Sequence, residues 1–436
     1  MKKSCKYGLG KYYILLREMQ ILRNNMYEKQ ALLPDIQFFS VCIVTEVFFM
    51  NEYTESVKIN NILTLRGLLK KMPPFCSDYL RGIATSTSPR TQTGYCRDIY
   101  TFLQFIVSCN PLYQSCQIKD IPLQVLEELN SSDIDEYMEF LNYYEFDGIV
   151  YKNGESAKAR KLSALSNMYS FFNKRQIVKN NPLNAVRRPK LHEKAIITLD
   201  QEQVFDLMDA VETPKNMTDR QKKFHNLTVD RDRAILTAFL GTGMRVSELA
   251  GLDVTDVDFN NQTFRVIRKG GNEAYIYFGD DIRDALSYYL GYPDGSSDVD
   301  SNTDTAGSDN ENAANLAQAP RSLLLKEDNP DEPALFLSLR GNRMAVRSIE
   351  VMVKKYCTMI NTNKRITPHK LRSTYGTALY RETGDIYLVA EVLGHKDVNT
   401  TKKHYAQMNN ENKRRAANIV QLKKASEPEG EQPATR

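Results

Sequence analysis

Residues 231–252 read RDRAILTAFLGTGMRVSELAGL, and this stretch decides how the chain is read. Its first half is a dense apolar run from Ala234 to Leu240, which suits a buried helix rather than a surface one. The helix is expected to end at Gly241, with a turn at Thr242-Gly243 and a new helix starting near Arg245. An arginine at a helix start lies among backbone N–H groups that have no intrahelical acceptor, a setting that also favours an anion. Glu248, one turn further on, can hold the guanidinium in place. On its own, an arginine in such a position is most often an ordinary surface residue.

Three later segments add to it. In TFRVIRKGGNEAYIYFG (263–279), two alternating runs flank Lys269-Gly270-Gly271-Asn272, the pattern of a β-hairpin with Lys269 at its tip. In ITPHKLRSTYGTALYRETGD (366–385), Thr367 is the expected cap and Pro368 the first helical residue, with His369 and Arg372 three apart on one face. In DIYLVAEVLGHKDVNTTKKHYAQM (385–408), a helix is expected to end at Gly394, with His395 in the turn and Tyr405 on the next short helix.

Working outward, residues 1–72 are helical in pattern and aromatic-rich, an extension of uncertain structure. Residues 73–180 read as an all-α bundle. Tyr95, Ile99, Phe102, Leu103 and Ile106 recur at helical spacing, and AKARKLSALSNMYSFFNKR is an amphipathic helix with a basic side. Lys158, Arg160, Lys161 and Lys174 on that side are candidate DNA contacts, and a solvated face is the alternative. Pro182, Pro189 and the run Arg187-Arg188-Lys190 mark an interdomain linker over 181–199, and those three basic residues are further candidate contacts. A second domain spans 200–410, opening with a capping box at Asp200 and Gln203. An acidic, Ser/Asn/Asp-rich insertion over 294–333 is expected to be disordered. A short helix with Ala416, Ile419, Val420 and Leu422 on one side and a polar tail occupy 411–436. The expected fold class is mainly α with a small β-sheet or hairpin (α+β).

The chain has 436 residues and a net charge of +4 from 58 basic and 54 acidic side chains. Residues 291–332 carry −8 of this, which leaves +12 on the remainder, a balance compatible with nucleic acid. The seven cysteines are scattered with no C-x-x-C pair, so neither a disulfide framework nor a zinc site is indicated and a reducing cytoplasm fits. The most apolar early run, Phe38 to Met50, is too short for a membrane span.

The four segments, in this order, resemble the catalytic domain of the tyrosine recombinase (phage integrase) family. The family pattern is an Arg in a G-x-R-x-x-E-L context, a Lys on a hairpin, H-x-x-R, then L-G-H and a Tyr about ten residues later. Here these are Gly243-Met244-Arg245-Val246-Ser247-Glu248-Leu249, Lys269, His369-Lys370-Leu371-Arg372, Leu393-Gly394-His395 and Tyr405. The hairpin departs from the common G-K-G-x-K form; Lys269 aligns with the family Lys, and Arg268 is the alternative. The resemblance spans about Tyr79 to Asn410 and makes the first bundle similar to the family's core-binding domain. It implies catalytic roles for Arg245, Lys269, His369, Arg372, His395 and Tyr405, with Glu248 in support. It further implies a 3′-phosphotyrosyl intermediate, no metal or nucleotide cofactor, double-stranded DNA with specific sites as partner, and a tetramer on DNA or a complex with a second recombinase. A type IB topoisomerase and an inactive DNA-binding assembly protein are the rival readings.

Overall fold

The computed structural model describes residues 52–191, 196–214, 217–268, 271–292, 319–360, 362–395 and 397–398. It divides into two compact units, with the boundary at Leu191/His192.

The first unit is built from α1 (Glu52–Leu69), α2 (Pro74–Gly82), α3 (Pro89–Cys109), α4 (Val125–Glu128), α5 (Ser131–Phe140) and α6 (Glu155–Lys174). α3 starts where the sequence predisposes it: the Ser88 hydroxyl accepts the Thr91 N–H at 3.3 Å and Pro89 takes the first turn. Ile99, Phe102, Leu103 and Ile106 on its apolar face are all fully buried. They pack on Leu162, Leu165, Met168 and Tyr169 of α6, and Tyr137 of α5 meets Phe102 edge-on at 5.1 Å. α1 packs against α3 and sends Leu65 into the same core, so the helical unit starts well before residue 73.

The expectation of an all-α first unit is corrected by a hairpin. Strands β1 (Tyr144–Phe146) and β2 (Ile149–Tyr151) pair antiparallel through a two-residue turn at Asp147-Gly148. Both turn residues have positive φ, 51° and 72°, as the right-handed twist of a tight hairpin requires. An Asp-Gly between β-branched and aromatic residues is a strong local hairpin signal, and it outweighs the helical pattern on either side.

The second unit contains α7 (Gln201–Glu212), α8 (Asp219–Asn226), α9 (Val229–Thr242), α10 (Val246–Gly251), a sheet of β3 (Val257–Asp258), β4 (Thr263–Ile267) and β5 (Glu273–Tyr277), then α11 (Asp280–Leu290), α12 (Val346–Cys357), α13 (Pro368–Thr383) and α14 (Ile386–Val392). The sheet order is β3-β4-β5, all antiparallel, with Phe264 opposite Ile276 on the buried face. α9 is the central element. Ala234, Ile235, Leu236, Ala238 and Phe239 are fully buried, and it packs against α7, α11 and α13. The capping box expected at Asp200 and Gln203 is present at the start of α7. The fold is mainly α with small antiparallel sheets.

The expected insertion is shorter than its composition suggested. Residues 293–318 lie outside the described residues, but 319–333 are built into the unit. Ala319 and Leu324 are buried, and the Arg321 guanidinium donates to the carbonyls of Glu332 (2.6 Å) and Ala334 (2.8 Å). Two apolar anchors and a half-buried arginine fix a stretch that its acidic flanks disguise. No helix among the described residues is long and apolar enough to cross a membrane.

Candidate active site

α9 runs to Thr242, one residue past the expected stop, and Gly243 ends it in the left-handed region at φ 62°. A Cβ at Gly243 would fall 2.5 Å from the Tyr375 ring and 3.0 Å from the Leu393 side chain, so both backbone and space demand glycine. The turn delivers Arg245 to the N-cap of α10. Glu248, buried one turn on, accepts both the Arg245 backbone N–H (2.8 Å) and its Nη1 (2.7 Å). The guanidinium is thereby anchored while the side chain stays one-third exposed. Its Nη2 donates to the Gly394 carbonyl at 2.9 Å.

Pro368 opens α13, and His369 and Arg372 follow on one face. His369 is exposed at the helix start, whereas Arg372 is buried. Arg372 Nη1 donates to the Gly243 carbonyl at 2.6 Å and Nη2 to the Leu393 carbonyl. The Ser373 hydroxyl donates to the His369 carbonyl at 3.0 Å.

Both arginines therefore converge on the end of α14. That end is a Schellman turn: the His395 N–H donates to the Ala390 carbonyl (2.8 Å) and the Gly394 N–H to the Glu391 carbonyl (2.8 Å), with Gly394 at φ 62°. Such a turn leaves the last carbonyls without backbone donors. Arg372 and Arg245 supply donors to Leu393 and Gly394, and Arg268 Nη2 reaches Val392 at 3.2 Å. Three cations at a helix C-terminus are also favoured by its partial negative charge. His395, half-buried, is the next residue after this ring of donors.

The structure thus brings Arg245, Glu248, Arg372 and His395 to one place, with His369 one turn from Arg372. Lys269 and Tyr405 lie outside the described residues, as does the helix expected after residue 411. Sequence reasoning kept Arg268 only as an alternative to Lys269; its grip on Val392 has no motif signal, because it joins residues 124 apart in sequence.

The candidate DNA contacts of the first unit divide in two. Lys174, Arg187, Arg188 and Lys190 are exposed. Lys161 is turned inward, donating to Asp98 Oδ1 (3.4 Å) and Thr101 Oγ1 (3.1 Å), and burial lowers its pKa. Asp98 is itself 1% exposed and also pairs with Arg160, whose side chain remains more than half exposed. Lys158 is buried but for its pairing with Glu155 at 2.9 Å. Helical spacing placed Lys158 and Lys161 on a basic face, and the buried carboxylate of Asp98 on the facing helix is what draws Lys161 inside.

Residues 198–412 match the phage integrase family. Over 378 residues the chain is 26% identical to tyrosine recombinase XerC of Caldanaerobacter subterraneus, covering 84% of this chain and 92% of that protein. It is 30% identical over 254 residues to tyrosine recombinase XerC of Thermodesulfovibrio yellowstonii, covering 58% and 72%. The fold is similar to XerH site-specific recombinase bound to a palindromic difH substrate (TM-score 0.52, 16% identity, 77% of this chain and 81% of that one). It is equally similar to the Tn1549 transposon integrase in complex with circular intermediate DNA (TM-score 0.51, 17% identity, 77% and 95%). With more than two thirds of a 30%-identical tyrosine recombinase covered, and the arginine pair of its motif converging on one turn, the chain belongs to the phage integrase family of tyrosine recombinases.

Proposed function

We propose that this chain is a site-specific DNA recombinase that cuts and reseals DNA through a tyrosine–phosphate ester on Tyr405. The observation that carries this is the convergence of Arg245 and Arg372, from separate helices, on the turn that precedes His395. In-line attack on a phosphodiester builds negative charge on the non-bridging oxygens. Arg245, held by Glu248, and Arg372, fixed by the Gly243 and Leu393 carbonyls, supply preorganised positive charge there. His395 donates a further hydrogen bond to the same phosphate.

In the reaction, Tyr405 Oη bonds to phosphorus as the bond to the 5′ oxygen breaks. His369, exposed at the start of α13, takes the phenolic proton, and Lys269 gives a proton to the leaving 5′ oxygen. The phosphotyrosyl ester conserves the bond, and a 5′ hydroxyl from a partner strand reverses the step to seal the new junction. No nucleotide cofactor enters the balance.

Double-stranded DNA with specific recombination sites is the proposed partner, gripped at its phosphates by Lys174, Arg187, Arg188 and Lys190 among others. Strand exchange between two duplexes calls for four active sites, so a tetramer on DNA, of this chain alone or with a second recombinase, is the proposed assembly. A cytoplasmic location is proposed with it. Chromosome-dimer resolution and integration or excision of a mobile element are both compatible roles.

The test is Tyr405→Phe, which removes only a hydroxyl. The variant is expected to bind site DNA like the wild type and to form no covalent adduct. A phosphotyrosyl adduct that persists in Tyr405→Phe would show that another residue is the nucleophile.

A further inference from the structure

The first unit carries an apolar knob and an apolar hollow. The knob is the hairpin of β1 and β2. Tyr144 mounts it: its ring is buried, stacked on Phe140 of α5 at 4.6 Å and on Tyr151 at 4.9 Å. The rest of the hairpin faces solvent. All three residues of β2 are exposed, Ile149 at 54% and Val150 at 49%, and Tyr143 stands exposed beside the start of β1. Among the described residues no third strand pairs with either edge. Grouped apolar side chains held out on a fixed turn mark a contact surface.

The hollow is a cavity of about 360 Å³ between the ends of α2 and α6. Phe75, Leu123, Phe171, Phe172 and Ile177 line it. Gly82 lets the Phe171 ring lie close, because a Cβ there would fall 2.2 Å from it. The two features have opposite charge. The hairpin carries Glu145 and Asp147 against Lys152, and the rim of the hollow carries Arg81 and Arg175 against Asp78. The Arg175 guanidinium lies over the Phe171 ring at 4.2 Å. Knob and hollow cannot meet within one copy. The hairpin precedes Glu155 at the start of α6 and the hollow flanks its end at Lys174, so 20 residues of helix, roughly 30 Å, hold them apart.

We infer that the β1–β2 hairpin of one copy of this chain seats in the α2–α6 hollow of the next. The apolar tip fills the apolar floor, and Glu145 and Asp147 meet the guanidiniums at the rim. Knob and hollow are different patches, so the contact is head-to-tail and can repeat around a closed ring. The inference names a surface for the proposed assembly of several copies, and rests on that reading for its neighbours.

The test uses the full chain without DNA, so its failure is distinct from failure of the recombinase reading, which Tyr405→Phe reports. Light protein with photoreactive benzoylphenylalanine at position 150 is mixed with heavy-isotope protein that keeps Val150. Irradiation is expected to join light to heavy copies, with the crosslinks mapping to residues 171–177. Arg175→Glu in the heavy copy is expected to cut that yield about 10-fold, and adding Glu145→Lys to the light copy is expected to restore it. Both substitutions fall on exposed side chains, and unchanged thermal melts are expected to accompany them. Crosslinks that land elsewhere, or none between light and heavy copies, overturn the inference. So does a yield that Arg175→Glu leaves unchanged, or a loss that Glu145→Lys does not recover.

Discussion

Arg372 donates to the Gly243 carbonyl at 2.6 Å, joining two residues 129 apart in the sequence. One guanidinium thus fastens the turn that launches Arg245 to the helix that bears H-x-x-R, and its other Nη fastens the turn before His395. A lysine offers one point donor and cannot span both carbonyls. Arg372→Lys is therefore expected to lower the cleavage rate by about 10²–10³-fold, the usual effect of losing an oxyanion donor, with much smaller loss of DNA affinity. Arg245→Lys, which loses the fork between Glu248 and Gly394, is expected to behave alike. Single-turnover cleavage beside a binding titration separates the two effects. Near-normal cleavage by either variant counts against the site.

Gly394 gives a prediction about stability. Its φ of 62° costs a residue with a Cβ about 1–2 kcal/mol. The added Cβ also collides with a flexible side-chain end, Arg268, which can move aside. Gly394→Ala is expected to lower the unfolding free energy by about that strain and to release Arg268 from α14. Urea denaturation reads the first effect. An unchanged midpoint would mean that the turn is re-formed another way.

The buried carboxylate of Asp98 separates structural from DNA-facing lysines. Lys161→Met places an apolar stem where a buried ammonium was, while Arg160 remains to neutralise Asp98. It is expected to leave the salt dependence of DNA binding unchanged. Arg187→Ala with Arg188→Ala, both exposed, is expected to reduce that salt slope by about one for each phosphate no longer neutralised. Asp98→Ala strands Lys161 in the core and is expected to cost roughly 3–5 kcal/mol. A drop in salt slope for Lys161→Met would place its ammonium on DNA after all.

The legible parts of this chain were those with local causes. The cap at Asp200, the glycine stop before Arg245 and the proline at the start of α13 are short-range signals, and each marks an element that is present. The motif residues Arg245, Arg372 and His395 were legible as a set through family spacing. What spacing could not reveal was set by tertiary contact. Lys161 points inward because Asp98, 63 residues away, is buried opposite it. Arg268 leaves its hairpin because α14 ends beside it. The Asp147-Gly148 hairpin was legible in principle and was hidden by the helices around it.

A buried polar cluster at the other end of α9 gives the chain a pH response. The Tyr356 hydroxyl donates to Asp232 at 2.8 Å and lies 3.3 Å from His225 Nδ1, and Arg231 bridges Asp232 to the Leu337 carbonyl. Burial, and then the positive charge of Lys355, lower the His225 pKa below its ordinary value, against the pull of Asp232. The native state therefore resists a proton that the unfolded chain accepts. Stability is unaffected above the unfolded value of about 6.5 and falls as pH drops below it. His225→Gln is expected to remove that part of the decline. Denaturation midpoints at pH 7.5 and about pH 5 provide the measure; an identical decline in both proteins would clear His225 of the effect.

The acidic stretch after α11 makes a prediction in which the end point matters. The Arg321 N–H donates to the Tyr289 carbonyl at 3.0 Å, so the chain that leaves α11 and the chain that returns are adjacent. Four residues, Pro293 to Ser296, can reach roughly 13 Å when extended, enough to join neighbouring ends. Removing Ser297–Gln318 therefore shortens a connection without stretching it, and the shorter loop costs roughly 1–2 kcal/mol less to close. The deletion also takes away acidic side chains that repel DNA. It is expected to leave the thermal midpoint and cleavage near those of the full chain, with equal or tighter DNA binding. Extending the deletion to Pro333 removes buried Leu324 and the Arg321 bonds to Glu332 and Ala334, and is expected to unfold the second unit. Thermal melts of the two deletions side by side decide the matter. A shorter deletion that melts as early as the longer one would show that residues 297–318 contribute to the fold.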